Sequence, residues 1–314
     1  MSGFMLSSKT NLWLESDRKV AQNISSQQRN CEMGKNQGNK ETKKANNLDG
    51  SEWTKYSISV WHDIRKSADE VKLGHPAMFP TMLTTRLIRC FSKSEDMNIL
   101  DPFMGSGSTL VSALNLGRQG IGFEVNKEYV DIARARCIQQ PFFEKYIPPR
   151  IYLESAANIP ERLSGEPVHL CITSPPYWDI LSQKRTADMK EIRDYGDNPD
   201  DLSRIQDYND FLNELVKIFK AVYQVLLPGK YCLVNVMDIR KKEKLYPFHA
   251  DLSSKMQAIG FILDDIIIWD RRQEYNNLRP LGYPYVFRLN RIHEYILIFQ
   301  KPKKETSEGS PDSQ

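Results

Sequence analysis

Two short stretches hold the residue types that could do chemistry. The first is Asp101-Pro-Phe-Met-Gly-Ser-Gly-Ser-Thr109. Gly105 and Gly107 permit backbone shapes that a Cβ forbids, so a ligand can approach the chain closely there. The third glycine of a dinucleotide fingerprint is absent, because Leu110 stands in its place. That weakens a nicotinamide reading. No Lys-Ser/Thr pair follows the glycines, so the stretch is not a Walker loop. Glu124 closes the next apolar segment, and an acid so placed can accept hydrogen bonds from both hydroxyls of a ribose. The second stretch is Thr173-Ser-Pro-Pro-Tyr-Trp178. Pro175 and Pro176 fix φ and remove two backbone donors, which leaves a rigid row of carbonyl acceptors. Tyr177 adds a stacking face, and Trp178 is either a second one or a core residue. Acceptors beside an aromatic face suit a planar group that carries an NH₂, such as a nucleobase.

Alternating strands and helices must position these stretches. Met97–Leu100 predicts a strand, the glycines a turn, and Ser108–Leu116 a helix stopped by Gly117. Gly120–Glu124 predicts the next strand and Lys127–Gln139 a helix ended by Pro141. Ile151–Leu153 and His169–Thr173 predict two more strands. Phe211, Leu215, Ile218, Phe219 and Val222 mark one face of a helix over Tyr208–Leu227, which Pro228-Gly229 should end. Tyr231–Val236 follows as a strand and His249–Ala258 as a helix stopped by Gly260. Phe261–Trp269 and Glu294–Gln300 are the last strands and should pair antiparallel. This alternation implies an α/β fold with a doubly wound, mostly parallel sheet covered on both faces. Both chemical stretches then fall at the carboxyl edge of that sheet, where such folds bind ligands.

Composition bounds the alternatives. The 314 residues carry 43 Lys+Arg against 40 Asp+Glu, and 40% are hydrophobic. That excludes collagen-like, coiled-coil and wholly disordered chains. No apolar run reaches the length a membrane span needs, and Met1–Lys19 is a poor signal peptide. Five cysteines stand singly at 31, 90, 137, 171 and 232, with no CxxC pair. Neither disulfides nor a zinc site is expected, no metal ligand set is assigned, and a reducing cytoplasm is the expected compartment. Residues 1–50 read as a polar, disordered arm, 51–302 as the folded domain and 303–314 as a polar tail. The arm holds 8 basic and 5 acidic residues, so the whole net charge of +3 lies there.

Taken together, the motifs resemble those of the S-adenosylmethionine-dependent DNA amino-methyltransferases, which methylate the exocyclic N4 of cytosine or N6 of adenine. Asp101–Thr109 is similar to the cofactor motif, Glu124 to the ribose acid and Ser174-Pro-Pro-Tyr177 to the catalytic motif. His75-Pro-Ala-Met-Phe-Pro80 resembles the family's HPAxFP segment, which packs beside the cofactor's methionine. The resemblance runs from about residue 58 to 302. It implies a single domain with a seven-stranded Rossmann-like methyltransferase sheet and S-adenosyl-L-methionine as cofactor. In motif order the chain looks circularly permuted, since the HPAxFP segment and glycine turn precede the catalytic loop. Serine at the first motif position is typical of cytosine-N4 enzymes, whereas adenine-N6 enzymes mostly carry Asp or Asn. The resemblance therefore implies cytosine N4 in double-stranded DNA, within a restriction-modification system that has a cognate endonuclease. Adenine N6 and a non-catalytic nucleic-acid-binding module are the rival readings. A cytosine-C5 enzyme is disfavoured, because no cysteine follows a proline.

The implied catalytic residues are Ser174, Pro175, Pro176 and Tyr177. The implied cofactor residues are Phe79, Asp101, Phe103, Gly105, Gly107, Glu124 and Glu154. A target base would have to flip out of the duplex to reach them. Basic residues interleaved with aromatics after residue 239 suit phosphate and base contacts. Arg271, Arg272, Tyr283 and Arg288 are the expected DNA contacts there, with Trp178 beside the base. The long loop Ile180–Asp207 is placed to close over the site. His293-Glu294 opens the last strand, and either a structural or a catalytic role suits it.

Overall fold

A strand that is apolar on both faces needs helices on both sides. Val168–Thr173 is such a strand, and the computed structural model shows it near the middle of an eight-stranded sheet. The structure describes residues 44–72, 78–138, 147–178, 200–274, 281 and 284–303. All but Lys44 belong to one compact unit that starts at Ala45. The elements in chain order are α1 (Gly50–Tyr56), β1 (Val60–Trp61), α2 (Ala68–Lys72), α3 (Thr81–Phe91) and β2 (Asn98–Asp101). Next come α4 (Ser108–Asn115), β3 (Gln119–Glu124), α5 (Lys127–Ile138), β4 (Arg150–Leu153), α6 (Ile159–Arg162) and β5 (Val168–Thr173). After these lie α7 (Tyr208–Val225), β6 (Leu226–Val236), β7 (Ile239–Lys241) and β8 (Lys244–Tyr246). The last are α8 (Phe248–Ala258), β9 (Ile262–Asp270) and β10 (His293–Gln300).

The sheet order is β1-β9-β10-β6-β5-β2-β3-β4. Every pairing is parallel except those of β10, which runs antiparallel to both β6 and β9. The antiparallel pairing of the last two strands is as predicted. The sheet has eight strands where seven were expected. The extra strand is β1, two residues long, which extends the β9 edge through Val60↔Ile268 and Trp61↔Trp269. So short a segment has no legible alternation in the sequence.

Alternation along the strands divides the core into two layers. Leu100, Cys171, Cys232, Val234, Leu297 and Phe299 face the layer built by α7 and α8. Their neighbours Ile99, Leu170, Ile172, Leu233, Ile296 and Ile298 face the layer that includes Leu83, Leu87 and Ile88 of α3. Cys171 and Cys232 are register partners at full burial, and burial pushes the Cys171 thiol well above its ordinary value. Both behave as small core residues.

Three local differences from the sequence reading have simple causes. The predicted arm reaches Gly50, yet Leu48 is buried and the Asn46 side chain donates to the Cys90 carbonyl at 2.9 Å. Asp49 then caps α1 in a reciprocal capping box with Glu52. Residues 1–43 and the tail after Lys303 lie outside the described residues. The helix expected to run to Leu227 stops at Val225, and Pro228-Gly229 lie inside β6, which the chain enters directly with a register shift against β5. The basic cluster Arg240–Lys244 belongs to the hairpin β7–β8 rather than an irregular loop, and Lys242 takes the left-handed conformation at its turn. Among the described residues, no helix is long and apolar enough to cross a membrane.

Candidate active site

β2 ends at Asp101, and the chain then turns through Pro102–Gly107 into α4. The Asp101 carboxylate organises that turn. Its Oδ1 accepts from the Phe103 amide (3.1 Å) and the Thr173 hydroxyl (2.7 Å), and Oδ2 accepts from the Thr109 hydroxyl (2.6 Å). One side chain thus ties the glycine turn, the start of α4 and the end of β5 together. Asp101 is buried, and burial pushes its carboxyl up to about 6 against the pull of these bonds. The two glycines have different tasks. Gly107 has φ +79°, and a Cβ there would lie 2.8 Å from the Ala133 Cβ of α5, so it serves close helix packing. Gly105 has φ +48° and meets no protein atom within 4 Å of such a Cβ, and it forms part of a cleft wall. Arg136 of α5 braces the turn by donating to the Ser106 carbonyl (2.7 Å) and the Ser108 hydroxyl (3.0 Å). It is paired in turn with Glu70 of α2, which accepts from the Thr81 amide at the start of α3.

The cleft lies at the carboxyl ends of β2, β3 and β5, where strand order reverses. It encloses about 920 Å³ including its open mouth. Glu124 at the end of β3 lines it. Its two oxygens accept from the amides of Asn126 (2.9 Å) and Gly105 (3.1 Å), and the Val125 amide adds a third bond, so the carboxylate keeps acceptor capacity for a ligand. Burial is the largest influence on Glu124 and pushes its carboxyl up to about 7. Glu154 also lines the cleft, but Arg162 Nε donates to it at 2.9 Å, and that partner holds its carboxyl below the ordinary value. Phe103, Gly105 and Ser174 are walls of this cleft and also of a smaller one lined by Phe79, Asp101 and Ser108. The two cavities therefore adjoin.

Ser174, Pro175, Pro176 and Tyr177 follow β5 and line the main cleft. Behind them lies a hydrogen-bonded group assembled from three strands. Ser174 Oγ is 3.2 Å from both the Tyr177 hydroxyl and the Asn235 carbonyl of β6. The Tyr177 hydroxyl donates to Glu294 Oε2 of β10 at 3.2 Å and accepts from Asn235 Nδ2 at 3.2 Å. Asn235 Nδ2 also donates to Glu294 Oε2, and Glu294 Oε1 is paired with Arg271. Burial, and then the Glu294 charge, push the Tyr177 hydroxyl well above its ordinary value, so it remains a proton donor.

The remaining expected contacts divide. Trp178 is 3% exposed, donates its Nε1–H to the Ile205 carbonyl (2.8 Å) and packs on Tyr208 and Tyr246. Its backbone is left-handed, with φ +48°. Of the two readings of Trp178, its burial agrees with the core one. Arg271 is drawn inward by Glu294 and by Glu274 (2.5 Å), and it lies over the Trp269 ring. Its guanidinium pairs with the buried Glu294 and with the exposed Glu274. Arg272 remains exposed beside Asp270, and Arg288 donates to the Lys242 carbonyl at 2.7 Å. Tyr283, the His75–Ala77 part of the HPAMFP segment and residues 179–199 of the expected lid lie outside the described residues. Asp200, Asp201 and Leu202, which follow those residues, line the cleft. Sequence reasoning missed Asn235 and the Arg271–Glu294 pair. Only the adjacency of Glu294 to the start of a strand could have suggested it.

The DNA methylase family profile matches residues 5–135 and 168–311, most of the chain. A type II methyltransferase of Methanocaldococcus jannaschii, M.MjaI, is 29% identical over 164 residues, which is 46% of this chain and 52% of that protein. M.MthZI, a type II methyltransferase of Methanothermobacter thermautotrophicus, is 31% identical over 48% of this chain and 44% of its own length. The chain thus spans about half the length of these curated relatives. Among solved structures, TrmN from Thermus thermophilus is 14% identical over 72% of this chain and 50% of its own, with a TM-score of 0.45.

Proposed function

This chain belongs to the DNA methylase family, and on that premise we propose that it transfers a methyl group from S-adenosyl-L-methionine to the exocyclic N4 of cytosine in DNA. We assign it to the modification half of a restriction-modification pair. The observation that carries the reading is the shared wall. Ser174, the first acceptor of the Ser-Pro-Pro-Tyr loop, borders both cavities together with Gly105 and Phe103 of the glycine turn.

The cofactor fits the residues present. Glu124 retains acceptor capacity for a ribose diol, Phe103 and Ala156 offer apolar walls for an adenine, and Gly105 leaves room for close approach. Phe79, Asp101 and Ser108 line the adjoining space for the amino-acid end. When bound, the cofactor supplies an electrophilic methyl on a sulfonium. Ser174 Oγ and the Pro175 carbonyl accept the two N–H bonds of the target amine. That withdraws the nitrogen lone pair from conjugation with the ring and orients it. Tyr177 stacks on the flipped base. Such positioning can supply up to about 7–11 kcal/mol of barrier reduction. Arg272, Arg288 and the lysines of the β7–β8 hairpin, beside the exposed rings of Tyr285 and Phe287, suit an anionic duplex.

Incubation with DNA and labelled cofactor, followed by digestion to nucleosides, tests the reading. N4-methylcytosine is the expected product. N6-methyladenine alone would refute the base assignment. Cofactor binding without transfer to any DNA would favour a non-catalytic nucleic-acid-binding module.

A further inference from the structure

We propose that Glu294 is a positioning residue: by taking the Tyr177 proton in a hydrogen bond, it leaves the Ser174 oxygen uncapped as the acceptor for the target amine. The inference rests on the function proposed above and concerns how the acceptor is kept open.

Counting protons around the group leads to this. An ion-paired carboxylate only accepts. Glu294 Oε2 therefore takes the single proton of the Tyr177 hydroxyl and one hydrogen of Asn235 Nδ2. The second Nδ2 hydrogen goes to the Tyr177 oxygen. The amide holds this orientation although its Oδ1 is buried without a partner among the described residues, because the reverse orientation would set oxygen against carboxylate. With the Tyr177 proton committed, Ser174 can only donate, either to Tyr177 or to the Asn235 carbonyl, each at 3.2 Å. Both lone pairs of Ser174 Oγ then stay available on the cleft wall. Glu294 touches neither substrate nor cofactor in this account. It acts through Tyr177.

The substitution Glu294→Gln inverts the chain. Arg271 only donates, so it holds the glutamine oxygen on its own side and turns the amide nitrogen toward Tyr177 and Asn235. The glutamine nitrogen then donates to the Tyr177 oxygen and to Asn235, whose amide turns its oxygen inward, and no carboxylate remains to hold the Tyr177 proton off Ser174 Oγ. Losing one oriented acceptor should lower kcat by about 100-fold, the scale seen when a single oriented hydrogen bond is removed from a reacting centre. Cofactor affinity should change less than about threefold, since Glu294 lies off the glycine turn. Removing the misdirected proton should rescue the enzyme. E294Q/Y177F is expected to turn over faster than E294Q and as fast as Y177F. A purely structural role for Glu294 gives no such rescue, so a double variant no faster than E294Q would overturn the proposal. Should E294Q not fold, the same comparison is read on Glu294→Asp, whose shorter side chain withdraws the acceptor from Tyr177. Neutron diffraction of the free protein reads the arrangement without any turnover. A Tyr177 hydroxyl deuteron directed at Glu294 supports it, and a Tyr177 hydroxyl deuteron directed at Ser174 Oγ refutes it, whereas Ser174's own deuteron pointing at the Tyr177 oxygen belongs to the proposed arrangement. Wild-type protein that methylates no DNA would instead refute the function and leave the neutron result to decide this inference.

Discussion

Glu124→Gln tests the cofactor side of the site. The Glu124 carboxyl is pushed from 4.5 up to about 7, chiefly by burial. At 1.36 kcal/mol per unit, holding it ionised in the free protein costs at most about 3 kcal/mol. Because the folded value is the raised one, this contribution to stability is complete below pH ~4.5 and is lost as pH rises through ~7. The variant lacks that slope. It also has one fewer accepting oxygen, so either the Gly105 or the Asn126 amide loses its partner, at about 1–3 kcal/mol. The two effects nearly cancel at pH 8. The net stability there decides little, and the pH dependence decides the matter.

A ribose diol needs an accepting carboxylate, so the ionised form is the binding form. With a value near 7, about 3% of the protein is ionised at pH 5.5 and nearly all at pH 8.5. Cofactor affinity should therefore rise roughly 30-fold across that range. Isothermal titration with both S-adenosylmethionine and S-adenosylhomocysteine measures it. The second ligand lacks the sulfonium charge but keeps the diol, so a rise with both assigns the effect to the diol. Asp101 titrates near 6 and contributes its own slope, which persists in Glu124→Gln. The difference between wild type and variant isolates Glu124. A wild-type affinity that is flat from pH 5.5 to 8.5, or equally steep in the variant, would refute the assignment.

Two other perturbations separate packing from binding. Gly107→Ala places a methyl 2.8 Å from Ala133 at positive φ, so the urea midpoint should fall by the equivalent of about 2–4 kcal/mol. Gly105→Ala adds its methyl to open cleft, so stability should fall by only about 1 kcal/mol while cofactor affinity drops more than tenfold. For DNA, Arg272→Ala should weaken binding to all sequences alike and reduce the slope of log K against log salt by about 0.9. An unchanged slope would remove Arg272 from the phosphate contacts.

What was legible in the sequence follows from how local each feature is. The glycine turn, Glu124 and Ser174–Tyr177 were legible because their chemistry lies within a few consecutive residues at strand ends. Asn235, and the grouping of Arg271 and Glu294 with it, were not, because only the pairing of β10 with β6 and β9 brings the three behind Tyr177. An arginine among other arginines reads as a phosphate contact, and here a buried carboxylate from another strand, Glu294, pairs with Arg271. Trp178 stood open between stacking and core in the sequence, and its burial against Tyr208 and Tyr246 agrees with the core reading. Gly107 was assigned to ligand approach when it serves α5 packing, a distinction that needs the position of Ala133.

The charges at the site favour the proposed chemistry in a way that net composition hides. Asp101 and Glu124 border the two cavities, and among the described residues neither has a cationic side-chain partner. Their bonds come from hydroxyls and amides instead. Glu294, one hydroxyl behind Ser174, is paired with a cation, Arg271. Burial thus raises the carboxyls of Asp101 and Glu124, and a positive ligand would favour their ionised forms, while Glu154 on the same cleft is paired with Arg162. A sulfonium entering beside them recovers the free energy that burial withheld. Methyl transfer then moves positive charge from that sulfur toward the attacking nitrogen. A site whose negative groups are already in place stabilises such a change without reorganising. A serine can serve as the direct acceptor in such a site, because the formal charge of Glu294 stands two hydrogen bonds further back, through Tyr177.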